Sequence, residues 1–129
     1  MELALQKLAG LIPAVIQDHR TNEVLMLGFM NAESLALTRR SGEVHFFSRS
    51  RNKLWKKGET SGHVLRVKEM RVDCDADSLL IRVEAVGPGV CHEGYRSCFF
   101  RELLADGATR VAEERTFDAA DIYGQKGTE

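Results

Sequence analysis

Three short segments of this sequence concentrate side chains that can do chemistry. The first is Asp73-Cys74-Asp75-Ala76-Asp77. On an extended backbone successive side chains alternate, so the three carboxylates would project to one face and Cys74 to the other. Ionised carboxylates that close repel and raise one another's pKa unless a cation neutralises them. An all-oxygen set of this kind suits Mg²⁺ or Ca²⁺; the alternative is a solvated acidic turn. The stretch from Asp73 to Glu84 also carries acids at the first, third, fifth and twelfth positions of an EF-hand loop. Its sixth position is Ser78, where the sharp turn requires glycine, and its flanks alternate like strands. The EF-hand reading is therefore excluded.

The second constellation is Cys74, Cys91 and Cys98, spaced 17 and 7 positions apart. These spacings match no zinc-finger pair. Cys91 and Cys98 nevertheless bound a glycine-containing loop, Cys91-His92-Glu93-Gly94-Tyr95-Arg96-Ser97-Cys98, that can fold back on itself. Three thiolates and one water make a catalytic zinc site with an open position, whereas a structural site takes four protein ligands. His92 could close the site as a fourth ligand, or stand beside the metal as a proton shuttle. The third segment runs from Ser48 to Gly62 and gathers Arg49, Arg51, Lys53, Lys56 and Lys57 around Trp55, with small hydroxyls and glycines. Guanidinium forks and backbone N–H groups hold phosphates, and a tryptophan can stack on a base of single-stranded nucleic acid. The formal net charge is −1, which favours a small anionic ligand over a polynucleotide.

The rest of the chain must position these segments. At 129 residues it has the length of one domain able to bury a core without disulfides, and no linker or repeat divides it. With 43% hydrophobic and 29% charged residues, the composition is that of a soluble globular protein. The N-terminus lacks a secretory pattern, and no apolar run approaches the ~20 residues that span a bilayer. A cytoplasmic protein without membrane partners is expected. Three cysteines cannot all pair within one chain, and in a reducing compartment thiols bind metal, react or fill the core.

Leu11 to Gln17 and Glu23 to Phe29 read as a hairpin around a polar turn. Asn31 reads as the N-cap of a helix over Ala32 to Arg40, with Ala32, Leu35 and Ala36 on one face and Gly42 ending it. Glu43 to Ser48 is a strand, and Arg49 to Gly62 a polar loop. His63 to Cys74 and Ser78 to Val86 alternate as strands; Gly87-Pro88-Gly89 breaks the second. Phe99 to Leu104 reads as a short strand or helical turn, and 118–129 as a frayed tail. The expected fold is α+β, mainly antiparallel and barrel-like, with one or two helices.

Taken together, these segments resemble the phosphoribosyl-AMP cyclohydrolase family. The resemblance is carried by Glu23-Val24-Leu25-Met26 with Met30-Asn31, by Phe47-Ser48-Arg49-Ser50-Arg51, and by Leu54-Trp55-Lys56-Lys57-Gly58-Glu59-Thr60-Ser61-Gly62. It continues through Asp73-Cys74-Asp75-Ala76-Asp77, Cys91-His92 and Ser97-Cys98-Phe99. It covers residues 11–104. It implies zinc held by Cys74 of one subunit with Cys91 and Cys98 of another, magnesium at Asp73, Asp75 and Asp77, and hence an intertwined homodimer. The implied reaction belongs to histidine biosynthesis: a zinc-activated water opens the N1–C6 bond of the adenine ring in 1-(5-phosphoribosyl)-AMP. His92 is the candidate base. Arg49, Arg51, Trp55, Lys57, Glu59 and Ser61 are the candidate residues for binding this phosphorylated purine nucleotide. The chain departs from the family pattern at Leu65, where a polar residue such as Gln is expected, and at Gly28 and Glu93. Its length leaves no room for the second, pyrophosphohydrolase domain that some relatives carry, so a monofunctional enzyme is expected.

Overall fold

The computed structural model describes residues 2–120. After a 3-10 turn at Leu5–Lys7, β1 (Ile12–Asp18) and β2 (Val24–Met30) form the expected hairpin. Its turn is organised by Asp18, whose Oδ1 accepts hydrogen bonds from the Arg20 and Thr21 N–H groups at 2.8 and 3.1 Å. Asn22 completes the reversal at φ 65°, a conformation asparagine tolerates better than most residues. Helix α1 (Ala32–Ser41) starts at Asn31, which exchanges side-chain hydrogen bonds with Ser34 as a capping box, and ends on Gly42 in the left-handed conformation.

The buried face of α1 differs from the expected one. Ala32 and Ala36 are exposed, while Ser34, Leu35 and Thr38 are buried. The two hydroxyls can be interior because both are satisfied there. Ser34 Oγ accepts from the Asn31 N–H, and Thr38 Oγ1 donates to the Ser34 carbonyl and accepts from the His45 N–H at 2.9 Å. Thr38 thereby ties the helix to β3 (His45–Ser48).

β3 pairs antiparallel with β4 (Lys53–Lys56), placing Phe46 opposite Trp55. The polar loop expected over 49–62 therefore contains a strand, half hidden in sequence by lysines on either side of Leu54-Trp55. β5 (Leu65–Val72) and β6 (Leu79–Ala85) complete a four-stranded sheet in the order β2-β1-β6-β5. Within it β1 and β6 run parallel, with Ala14 level with Leu79 and Asp18 level with Val83. β7 (Arg101–Leu103) and β8 (Thr109–Val111) form a separate ribbon. Among the described residues the fold is α+β with one named α-helix and mainly antiparallel pairing, but the three sheets do not close into a barrel.

The core lies on one face of the large sheet. Ile12, Ala14 and Ile16 alternate inward from β1, and Leu79, Ile81 and Val83 from β6. Phe46, Val44 and Leu65 fill the space towards the helix and β3. Gly28, an unusual choice in sequence terms, has a packing reason. A Cβ there would lie 2.5 Å from the Phe46 ring. Leu65, where a polar residue was expected, is fully buried in this core. Among the described residues no helix is long and apolar enough to cross a membrane. The expected tail lies mostly outside the described residues.

Candidate metal and substrate site

Asp73 to Ser78 is a turn between β5 and β6, not the extended segment expected from alternation. Asp73 nucleates it. Its Oδ1 accepts from the Asp77 and Ser78 N–H groups, its Oδ2 accepts the Ser78 hydroxyl at 2.5 Å, and Ala76 adopts φ 62°. Folding back, rather than alternating, is what gathers the carboxylates. One oxygen from each of Asp73, Asp75 and Asp77 lies within 4.8 Å of the others, the one such metal-competent group among the described residues.

The three acids do not titrate alike. The Ser78 hydroxyl and nearby N–H groups hold Asp73 well below the usual carboxylate range. Asp77 is pulled down by Lys7 but pushed further up by Asp75 and Asp73, so its net shift is upward. Lys7 Nζ donates to Oδ2 of Asp77 at 3.0 Å and of Asp75 at 3.3 Å. An ammonium thus sits where the carboxylate set calls for a cation, and the oxygen donors fit magnesium on chemistry and spacing.

The thiol loop lies at the other end of the sheet. Cys91 is buried with Tyr95 and Phe100, whose rings stack 3.7 Å apart. A tight turn follows, with the Cys91 N–H bonded to the Tyr95 carbonyl and the Gly94 N–H to the Cys91 carbonyl, both at 3.0 Å. Arg96, Ser97 and Cys98 then dock on β2 and the end of β1. Arg96 donates to Glu23 and Asp18, Ser97 Oγ donates to the Val24 carbonyl at 2.8 Å, and the Cys98 N–H to the Leu25 carbonyl at 2.7 Å. This closure brings the Cys91 and Cys98 thiols close enough for each to shift the other's protonation. That interaction lowers the Cys91 thiol to about 6 against its burial, with help from the Glu93 N–H and the charge of His92. The same interaction, with partial desolvation of the thiol, raises Cys98, which as a whole residue stays exposed. A thiolate beside a second thiol is a donor set that fits zinc. His92 is exposed next to Cys91.

Cys74 is exposed on the aspartate turn. That turn leaves β6 at Leu79, level with Ala14, whereas the thiol loop is anchored at Asp18, Glu23, Val24 and Leu25. Within one chain Cys74 does not join Cys91 and Cys98.

Around the β3–β4 hairpin, Ser48, Ser50, Arg51, Lys53, Trp55 and Glu59 line an open depression. Trp55 forms its wall, its ring 5.0 Å from that of Phe46. Arg49 lies alongside, its guanidinium 5.1 Å above the Phe29 ring. Ser61 Oγ accepts from the His63 N–H at 3.1 Å and shapes the turn that follows. Lys57 behaves differently from the other basic residues. It is 5% exposed, and its charge bears on Cys98. Sequence reasoning singled out every donor in these clusters but missed Lys7, Ser78, Arg96 and Ser97, which hold them. Ser78 carries a signal in its Asp-Ser turn chemistry, and Ser97 stands in the Ser97-Cys98-Phe99 stretch of the resemblance without a role of its own.

A family model described as phosphoribosyl-AMP cyclohydrolase matches residues 26–100. The phosphoribosyl-AMP cyclohydrolase of Solibacter usitatus is 56% identical over 126 residues, 98% of this chain and 99% of the relative. That of Methanocella arvoryzae is 57% identical over 88% of this chain and 92% of its own. That of Nitratidesulfovibrio vulgaris is 50% identical over 91% and 92%.

Proposed function

Since the chain belongs to the phosphoribosyl-AMP cyclohydrolase family and is a hydrolase, we propose that it opens the adenine ring of 1-(5-phosphoribosyl)-AMP at the N1–C6 bond in histidine biosynthesis. The observation that carries the mechanism is the Cys91–Cys98 pair beside exposed His92, with Cys91 shifted towards the thiolate. Cys91 and Cys98 would hold zinc together with Cys74 of a second copy, and Asp73, Asp75 and Asp77 would hold magnesium. When bound, zinc supplies the Lewis acidity that makes water a nucleophile near neutral pH.

The chain's own residues do the rest. Phosphoribosylation of N1 leaves C6 electron-poor. Water adds there as His92 takes its proton, forming the C6–O bond. His92 then returns a proton to N1 as the C6–N1 bond breaks, leaving a carboxamide at C6. Trp55 offers a stacking face, and Arg49 and Arg51 offer guanidinium forks for the two phosphates. Glu59, on the rim of the same depression, would meet the ribose hydroxyls, while Ser61 shapes the turn that follows and Lys57 lies buried just beyond β4.

A homodimer is part of this proposal, because a three-thiol site needs Cys74 from another chain. Two surface features support it. Phe99, Leu103 and Val111 are 57%, 74% and 54% exposed on or beside the β7–β8 ribbon, and an isolated two-stranded ribbon is marginal in water. Leu27 and Val72 add exposed apolar area on the large sheet.

The test is turnover of 1-(5-phosphoribosyl)-AMP by the purified protein with magnesium, before and after zinc chelation. Ring opening that disappears on chelation and returns with zinc is expected. A zinc-loaded dimer without turnover would move the function to another substrate. His92→Ala should keep zinc and slow turnover by roughly 10²–10⁴; an unchanged rate removes His92 from the mechanism.

A further inference from the structure

The loop between Cys91 and Cys98 has little to hold it in shape by itself. Its internal bonds are the tight turn at Cys91–Tyr95, the Glu93 N–H to Cys91 Sγ and the Val90 N–H to the Arg96 carbonyl at 3.0 Å. On its far side Arg115 donates to the Glu93 carbonyl and the Thr116 N–H to the Gly94 carbonyl, but neither bond reaches the Cys98 end. Arg96, two positions before Cys98, supplies a strong link to the rest of the molecule. Its Nε donates to Glu23 Oε1 at 2.5 Å and a terminal nitrogen donates to Asp18 Oδ2 at 3.1 Å. Asp18 is 2% exposed, and its other oxygen is occupied by the Arg20 and Thr21 N–H groups. The carboxylate is therefore complete only with Arg96 in place. The two acids flank the β1–β2 turn, so one planar guanidinium straddles the hairpin. A lysine ammonium cannot reproduce that two-pronged geometry.

From these contacts we propose that Arg96 is the positioning residue of the zinc site. By clamping the loop to Asp18 and Glu23 it sets the separation and orientation of the Cys91 and Cys98 sulfurs. The β1–β2 hairpin, rather than the loop, then fixes the metal geometry. Ser97 and Cys98 follow directly, bonded to Val24 and Leu25, so a displacement of Arg96 is passed along the chain to the Cys98 sulfur. The inference rests on the reading of Cys91 and Cys98 as zinc ligands. Residues that orient metal ligands without touching the metal are worth about 10–100-fold in affinity.

A purely structural role is the rival, since removing Arg96 leaves a buried carboxylate without its partner, and that alone destabilises a fold. Two variants separate the possibilities: Arg96→Met, and Arg96→Met combined with Asp18→Asn. The amide of the second retains an acceptor for the turn and removes the stranded charge. Zinc affinity is measured by competition with a colorimetric chelator, and ligand geometry by the visible spectrum of the Co²⁺-substituted protein. Arg96→Met should weaken zinc about 10–100-fold, alter the thiolate–Co²⁺ bands and lower the thermal midpoint. The double variant should regain much of the midpoint while zinc stays weak and the bands stay altered. Arg96→Lys should fall between wild type and Arg96→Met. Zinc affinity that returns together with the midpoint, or unchanged Co²⁺ bands in Arg96→Met, would overturn the proposal. A wild-type protein that takes up no zinc would instead defeat the underlying ligand assignment, and the two failures are distinguishable in one experiment.

Discussion

At the aspartate turn the bonds from Asp73 that shape the donors span four or five residues. At the thiol loop, the bonds from Arg96 and Ser97 span 73 and 78 residues. The contrast follows from the chemistry of the ligands. Carboxylates can sit in water on a local turn and await a hard cation, with Lys7, from the chain's start, meanwhile donating to two of them and offsetting one charge. Thiolates need shielding, and here Tyr95 and Phe100 supply it by packing with Cys91. The buried residues of this loop, Cys91, Tyr95 and Ser97, must satisfy their polar groups from elsewhere in the fold. The oxygen site should therefore respond to mutation locally, and the sulfur site through the whole molecule.

The largest expected difference comes from removing a donor from each. Cys91→Ser should lose zinc retention by more than the ~10–100-fold typical of orienting partners, lower the thermal midpoint, weaken the dimer and abolish turnover. Metal analysis after gel filtration reads zinc and dimer, thermal unfolding reads the midpoint, and a turnover assay reads the activity. Asp75→Asn with Asp77→Asn should weaken magnesium while leaving zinc and the midpoint nearly unchanged. Full zinc occupancy and activity in Cys91→Ser would refute its assignment as a ligand.

A smaller effect separates the braces rather than the donors. Ser97 is 1% exposed; its hydroxyl donates to the Val24 carbonyl and accepts from the Phe99 N–H at 2.9 Å. Ser97→Ala strands these two backbone groups at a cost of roughly 1–3 kcal/mol. Denaturant unfolding of the zinc-loaded protein should show a lower midpoint with an unchanged slope. Equal midpoints would mean that the loop does not depend on its attachment to β2.

The same contrast explains what could be read in the sequence. The Asn31 cap, the Gly42 stop and the β1–β2 hairpin rest on local chemistry, and each is found within a residue or two of its expected place. β4 was hidden because lysines flank its two apolar residues, and the strand is defined by Phe46 opposite Trp55. The parallel pairing of β1 with β6 joins segments more than 60 residues apart, and no local pattern encodes it. The aspartates could be grouped from sequence, although for the wrong reason, since a turn and not alternation unites them. Arg96 read as one more polar loop residue. Its importance depends on Asp18 and Glu23, which no spacing rule connects to it.

The finest test lies at the counterpart of Ser97 on the other turn. Ser78 braces Asp73 across five residues at a half-buried site near the surface. Its hydroxyl is the first cause of the depressed Asp73 pKa. A depressed carboxylate contributes stability that is present above its ordinary value, here 3.8, and is lost as pH falls through the folded value below it. Ser78→Ala should move Asp73 back up towards the ordinary range, so the turn loosens at a higher pH in the metal-free protein. Carboxyl NMR titration reads the shift directly. At neutral pH the thermal midpoint should stay within ~2 °C of wild type, as for surface substitutions generally, and zinc retention should not change. If Ser78→Ala instead released zinc or matched the destabilisation of Ser97→Ala, the aspartate turn would be coupled to the thiol loop. The division into a local oxygen site and a globally braced sulfur site would then fail.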